Sequence, residues 1–319
     1  MQIEPPIKII FDTDIGDDID DALALAMLHA LADRSEVEIL AVTVCKDNPW
    51  CAVYVDIVNR FYGRPDIPIG VVKGGKRPQD GYTTVVASRK IGNEYAYARG
   101  LQSGENAPDA VDLIRSILAR QADSSVVMVS VGSKTNIARL LQSKPDKNSS
   151  ANGIDLVKSK VKNYVMMAGD FRAKAAAEYN IKIDADAARI VFEDWPTSIA
   201  ISGFDIGKMV YYPAESIEQD FGYVKNHPIA EAYHAYAKMP YDRPAWDLTA
   251  VLYAARPERG YFKLSQPGYV KVDDKAVTHF TAAQDGRHRY FILPDDKREA
   301  VREACIWLAS SPPRNCSTQ

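Results

Sequence analysis

Residues 7–25 read IKIIFDTDIGDDIDDALAL. The run opens on residues 7–11, apolar apart from Lys8 and rich in β-branched side chains, as a strand buried on both faces requires. It closes on strong helix formers, because residues 20–33 carry the apolar stripe Leu23, Ala26, Met27 and Ala30 at helical spacing. A strand that passes through a short polar loop straight into a helix is the first half of a βα unit. The stretch therefore predicts an α/β fold.

The same rhythm continues outward. Residues 37–44 predict a strand, residues 49–62 a helix opened by a proline in its first turn, and residues 67–72 a third strand. A helix over 107–122, a strand over 125–131, a helix over 134–141, a strand over 161–168 and a helix over 185–194 follow. Strands alternating with helices imply a parallel sheet with right-handed crossovers. The pattern changes at residues 269–272, 277–282 and 288–293, which predict adjacent antiparallel strands before a last helix over 295–309. Residues 142–153 are a polar surface loop, and no internal repeat interrupts the chain. The expectation is one domain over 1–319: an open, mostly parallel Rossmann-like sheet with helices on both faces and an antiparallel addition near the C-terminus.

Composition excludes several classes. With 39 basic and 42 acidic residues the net charge is −3, which leaves no electrostatic footprint for nucleic acid. The lysines at 158, 160 and 162 predict a solvated face. No apolar run reaches the roughly 18–20 residues that span a bilayer. Nothing at the start resembles a signal peptide, so a cytoplasmic location is expected, or a secreted or periplasmic one if a leader has been removed. Cys45, Cys51, Cys305 and Cys316 lack the spacing of a zinc or dithiol motif and are expected as plain thiols. Asn148 and Asn315 each open a glycosylation sequon, a pattern too common to assign a compartment.

Six aspartates, at 12, 14, 17, 18, 20 and 21, fall within ten positions at the C-terminal end of the first strand. That edge is where open α/β sheets bind ligands. Each pair of like charges about 4 Å apart costs roughly 1 kcal/mol in water and about 4 kcal/mol at an effective dielectric near 20. Carboxylates gathered in a cleft therefore need protons or a cation, and hard oxygen ligands without nearby His or Cys suit calcium or magnesium. Asp17 and Asp18 read equally well as solvated loop charges, and Asp20 as a helix cap. An EF-hand loop starting at Asp12 fails, because its twelfth position is Leu23 rather than glutamate. A haloacid-dehalogenase-type phosphohydrolase also begins with a strand and DxD, which Asp12-Thr13-Asp14 satisfies, but Gly16 stands where Thr or Val belongs.

Residues 12–25, DTDIGDDIDDALAL, resemble the DxDPGxDDAxAL signature of the inosine-uridine-preferring nucleoside hydrolases, with two residues inserted and Ile15 replacing proline. Four more segments are similar to that family in order: TVCKDN at 43–48, SVGSKTNIA at 130–138 beside the family's TGPLTNIA, MAGDFRAKAAAEYNIKID at 167–184, and PAWDLTA at 244–250. The resemblance implies calcium-dependent hydrolysis of the N-glycosidic bond of ribonucleosides, or of a related N-riboside, to free base and ribose. It implies Asp14 as calcium ligand and general base, with Asp21, Asp247 and the backbone oxygen of Val131 completing the protein's share of the metal. Asp20, Asn48, Met167, Glu178, Asn180 and Asp247 are implied as substrate contacts, and the assembly as a homo-oligomer, dimer or tetramer.

Three departures concern the base and the sugar. The family's leaving-group acid is a His immediately before the Asp, where this chain has Trp246. Residues 169–177 lack the ribose-binding Asn, with Arg172 near its place, and residues 74–87 hold no His. Trp246 has no titratable proton near neutral pH and is expected to stack on the base, with His234 or Tyr241 supplying the proton. The alternatives are a non-catalytic calcium- and ribose-binding protein of the same fold, or the phosphohydrolase.

Overall fold

The computed structural model describes residues 5–314, so Asn315 and Cys316 lie outside the described residues. Its central sheet has ten strands, nine of them on one path: β1 (Ile7–Thr13), β2 (Val37–Lys46), β3 (Ile69–Lys76), β4 (Val126–Ser130), β5 (Val161–Met167), β6 (Ser198–Ser202), β7 (Gly268–Val272), β8 (Thr278–Ala282) and β9 (His288–Ile292). Across the sheet the order is β8-β7-β9-β6-β5-β4-β1-β2-β3, and the short strand Lys263–Leu264 pairs with β9. Strands β1 to β6 run parallel, and β9 joins them parallel to β6. Strand β7 is antiparallel to both of its neighbours, β8 and β9. The antiparallel addition is thus grafted onto the sheet edge through β9.

From β1 the path runs one way through β2 and β3 and the other way through β4, β5 and β6. The C-terminal ends of β1 and β4 therefore flank the crevice where strand order reverses, the place where such sheets take ligands.

The helices used below are α1 (Asp20–Asp33), α2 (Pro49–Phe61), α3 (Ala110–Leu118), α4 (Thr135–Gln142), α5 (Ala185–Asp194), α6 (Pro228–Tyr236), α7 (Trp246–Ala255) and α8 (Arg298–Ala309). Alternate residues of β1 feed two cores. Ile9 and Phe11 pack with Leu23, Val53, Leu248 and Val301 of α1, α2, α7 and α8. Ile10 packs with Ile114, Ile137 and Val191 of α3, α4 and α5. Both faces of the sheet are covered, which is why its strands read as continuous apolar runs.

Three sequence expectations change. Helix α1 is not a half-exposed stripe: every residue from Asp20 to Leu31 is buried, because α7 and α8 cover the side away from the sheet. Helix α3 is shorter than residues 107–122, since Asp109 caps it by accepting from the backbone N–H groups of Val111 and Asp112. Strand β6 and helix α6 escaped the reading: the five residues SIAIS are too short and serine-flanked to stand out, and α6 opens on Pro228 inside a polar stretch. Among the described residues no helix is long and apolar enough to cross a membrane.

Candidate active site

Two helix first turns and two strand ends meet at the crevice. Asp12 is still inside β1 and wholly buried, and its Oδ1 accepts from Thr43 Oγ1 at 2.6 Å and from Asn136 Nδ2 at 2.8 Å. It ties β1 to β2 and α4, which is a structural task. Burial pushes its carboxyl up to about 6 against the pull of those donors. Thr13 Oγ1 donates to Asp21 Oδ1 and accepts from the Ile15 N–H, which turns the chain out of the strand. Gly16 then takes φ +108°, and a Cβ there would lie 2.8 Å from Thr83 Oγ1, so both conformation and space call for glycine.

Asp14 hangs from the end of β1, Asp20 and Asp21 from the first turn of α1, and Asp247 from the first turn of α7. The helix N-termini lend partial positive charge to those three carboxylates. The Asp247 N–H donates to Asp20 Oδ2 at 3.0 Å, locking the two turns together. One carboxylate oxygen each from Asp20, Asp21 and Asp247 lies within 4.8 Å of the others. Burial first, and the neighbouring aspartates second, push Asp14 up to about 8 and Asp20, Asp21 and Asp247 well above the usual carboxylate range. Four buried carboxylates that repel one another must hold protons or a cation, and the all-oxygen donor set, with the Val131 carbonyl beside it, fits a hard divalent ion.

The opposite wall comes from β4, β5 and the segment after β5. Asn180 Nδ2 donates to the Val131 oxygen at 2.7 Å and lies 3.1 Å from Met167 Sδ. Glu178 caps the short helix Tyr179–Ile183, accepting from the Asn180 and Ile181 N–H groups, and takes a third bond from the Gly169 N–H. Lys134, fully buried, donates to the carbonyls of Gly132 at 2.6 Å and Met167 at 3.1 Å. It stands where the similar family segment has leucine. Burial lowers its pKa, while Glu178 and the nearby acids oppose that shift.

The cleft between these walls encloses about 320 Å³. It is lined by Asp14, Asp20, Asp21, Val131, Met167, Glu178, Asn180, Trp246 and Asp247, nine of the twelve residues expected at the site. The other three are elsewhere. Asn48 caps α2 and points its amide at the Pro78 carbonyl and Asp80, away from the cleft. His234, half exposed, faces Glu218 at 3.2 Å. Tyr241 stacks on Tyr233 and donates to the Tyr233 carbonyl at 2.6 Å. With His234 turned to Glu218 and Tyr241 to the Tyr233 carbonyl, neither lines the cleft, which corrects the expectation that one of them reaches the base.

Residues that the sequence reading did not assign complete the wall: Asp17, Asp18, Tyr179, Phe204, Tyr236 and Arg243. The inserted Asp17 is ion-paired with the buried Lys46 and with Arg77, and it accepts from the Tyr179 hydroxyl. Its neighbour Asp18 takes the guanidinium of Arg243 through two hydrogen bonds. Trp246 Nε1 donates to the Phe204 carbonyl at 2.8 Å, fixing the indole beside the Phe204 ring. Arg243 was visible three residues before Trp246; Phe204 carried no sequence signal.

Comparison with known proteins bears on this arrangement. A family model described as inosine-uridine preferring nucleoside hydrolase matches residues 9–303. The chain is 29% identical over 270 residues to the pyrimidine-specific ribonucleoside hydrolase RihA of Klebsiella pneumoniae, covering 79% of this chain and 80% of that one. It is 29% identical over 213 residues to the inosine-uridine preferring nucleoside hydrolase of Crithidia fasciculata, covering 63% and 61%. Its fold is similar to that of the inosine-uridine preferring nucleoside hydrolase from Bacillus anthracis, with a TM-score of 0.71 at 18% identity over 95% of this chain and 99% of that one.

Proposed function

The chain belongs to the inosine-uridine preferring nucleoside hydrolase family and is an N-ribohydrolase, and from that premise we propose that it uses one calcium ion to hydrolyse ribonucleosides to free base and ribose. The phosphohydrolase alternative falls with that membership. The observation that carries the proposal is the knot of buried carboxylates at the reversal of strand order, facing an amide and a carboxylate suited to a polyhydroxyl ring.

Asp14, Asp21, Asp247 and the Val131 carbonyl would hold the ion. Asp20 has Oδ2 taken up by the Asp247 N–H and keeps Oδ1 for the sugar diol. Bound calcium supplies positive charge that favours the ionised carboxylates and eases deprotonation of a neighbouring water. Asp14 is the general base, since it hangs at the strand end over the cleft and accepts the proton of the attacking water. Glu178 and Asn180 are themselves pinned by backbone bonds, so they orient the ring without reorganising. The departing bond develops positive charge on the ribose, which the surrounding carboxylates stabilise. Trp246, held by Phe204, offers its face to the base.

Incubation of the calcium-loaded protein with the common ribonucleosides, with chromatography of free base and ribose, tests the reaction. A map of anomalous scattering tests the ligands, which should lie about 2.3–2.6 Å from calcium. An ion held by Asp20 in place of Asp14 would overturn the division of roles.

A further inference from the structure

Among the described residues the ordinary proton donors on the base side of the cleft already have partners, including the Tyr236 hydroxyl, which shares Asp18 with Arg243. The Trp246 N–H is consumed by the Phe204 carbonyl, and the Tyr241 hydroxyl by the Tyr233 carbonyl. The Tyr179 hydroxyl is turned to Asp17, and His234 faces Glu218. What does reach this side is a guanidinium. Arg243 lines the cleft between the two aromatic walls, 5.4 Å from the Trp246 ring centre and 5.2 Å from that of Tyr236. Its Nε donates to Asp18 Oδ1 at 2.8 Å and its Nη2 to Asp18 Oδ2, while Nη1 makes no hydrogen bond among the described residues. A guanidinium carries five N–H donors in a rigid fork, so the pair with Asp18 leaves donors to spare and fixes the plane they lie in.

We propose that Arg243 stabilises the leaving base directly, in place of a general acid, and that the inserted Asp18 is the positioning residue that aims it. This rests on the N-ribohydrolase reading of the same cleft. The C1′–N bond breaks with its electron pair moving onto the base nitrogen. The oxygen of a water molecule bonds to C1′ and its proton passes to the Asp14 carboxylate. The base departs as an anion paired with the Arg243 guanidinium, then takes a proton from solvent, and Asp14 returns its own. The two-residue insertion thereby acquires a chemical purpose: Asp18 holds the cation that replaces the missing histidine, and Asp17 anchors the loop through Lys46 and Arg77.

The test compares kcat/KM for five natural ribonucleosides (inosine, guanosine, adenosine, uridine and cytidine) with that for p-nitrophenyl ribofuranoside, whose leaving group is stable as an anion unaided. The proteins are the parent, Arg243→Gln, Arg243→Lys and Asp18→Asn, all calcium-loaded. Loss of one charge-stabilising donor predicts about a 10²-fold fall for Arg243→Gln on the best natural nucleoside and less than about a threefold fall on the nitrophenyl riboside. Arg243→Lys should recover part of the natural rate, and Asp18→Asn should show the same asymmetry between substrates. Activity on the nitrophenyl riboside reports that each variant is folded. Equal losses on both substrate types, or an unchanged natural rate in Arg243→Gln, would overturn the role of Arg243. A parent that releases neither nitrophenolate nor any base would instead overturn the N-ribohydrolase reading beneath it.

Discussion

Asp14, Asp20, Asp21 and Asp247 expose between 1% and 7% of their surface and hang from a strand end and two helix first turns. Across the cleft, Tyr236, Arg243 and Trp246 are only partly buried and come from the end of α6, a two-residue strand and the very start of α7. The carboxylate side is thus welded to the sheet, whereas the aromatic side is fastened to it by ion pairs and ring contacts, chiefly Asp18 to Arg243 and Trp246 to Phe204. Local stability differs accordingly, with strand-anchored groups opening last and short surface elements first. Under the proposed function, a rigid half that recognises what all ribosides share is joined to a half free to vary with the base.

The comparison breaks most sharply at Asp14. Replacing it with Asn should lower kcat by about 10³-fold with little change in KM, because the amide cannot take a proton from water. Steady-state kinetics on calcium-saturated protein measures this, and near-parental turnover would move the base elsewhere. Glu178→Gln, on the same rigid side, should lower kcat and raise KM together, by about 10²-fold in their ratio, since sugar orientation is lost. On the base side the effect should shrink. Trp246→Ala removes a stacking surface worth about 1–3 kcal/mol and should cost about tenfold in kcat/KM on natural nucleosides. His234→Ala should change nothing in the same assay.

The buried carboxylates also make a prediction about stability. Asp14 sits at about 8 in the fold against 3.8 as a free side chain, so folding favours its protonated form. The stability tied to that proton is fully present below pH 3.8, falls as the unfolded chain ionises first, and is lost once the pH passes about 8. Asp20, Asp21 and Asp247 are raised in the same direction and steepen the fall. Metal-stripped protein should therefore melt at progressively lower temperature as the pH rises across that window, and saturating calcium should flatten the slope. A metal-stripped protein whose melting is independent of pH would contradict the electrostatic picture.

Legibility in the sequence divides along the same line. The strand-to-helix passage at 7–25 announces both the parallel sheet and the carboxylate cluster, because a both-faces-buried strand and a helix first turn leave periodic and compositional marks. Glu178 and Asn180 were found through the segment around them, although in isolation they are a helix cap and its neighbour, and the structure uses Glu178 as a cap as well. Asn48 misled for the same reason: a polar residue at a strand end caps the next helix as readily as it faces a ligand. The base side was opaque. Phe204 reaches the cleft from an element distant in the chain, and Tyr236, although close to Trp246 in sequence, ends a helix on which an aromatic looks alike whether it packs or lines a wall. Arg243 and Asp18 have meaning only as a pair 225 residues apart, which no local spacing reveals.

The most direct test of the whole account is a calcium titration of metal-stripped protein in the presence of inosine or uridine, following free base and free ribose together. The account predicts no products without the ion, activity rising to a plateau at about one equivalent of calcium, and base and ribose released in equal amounts. Undiminished turnover in excess chelator, or tight binding of calcium and nucleoside without any product, would contradict it.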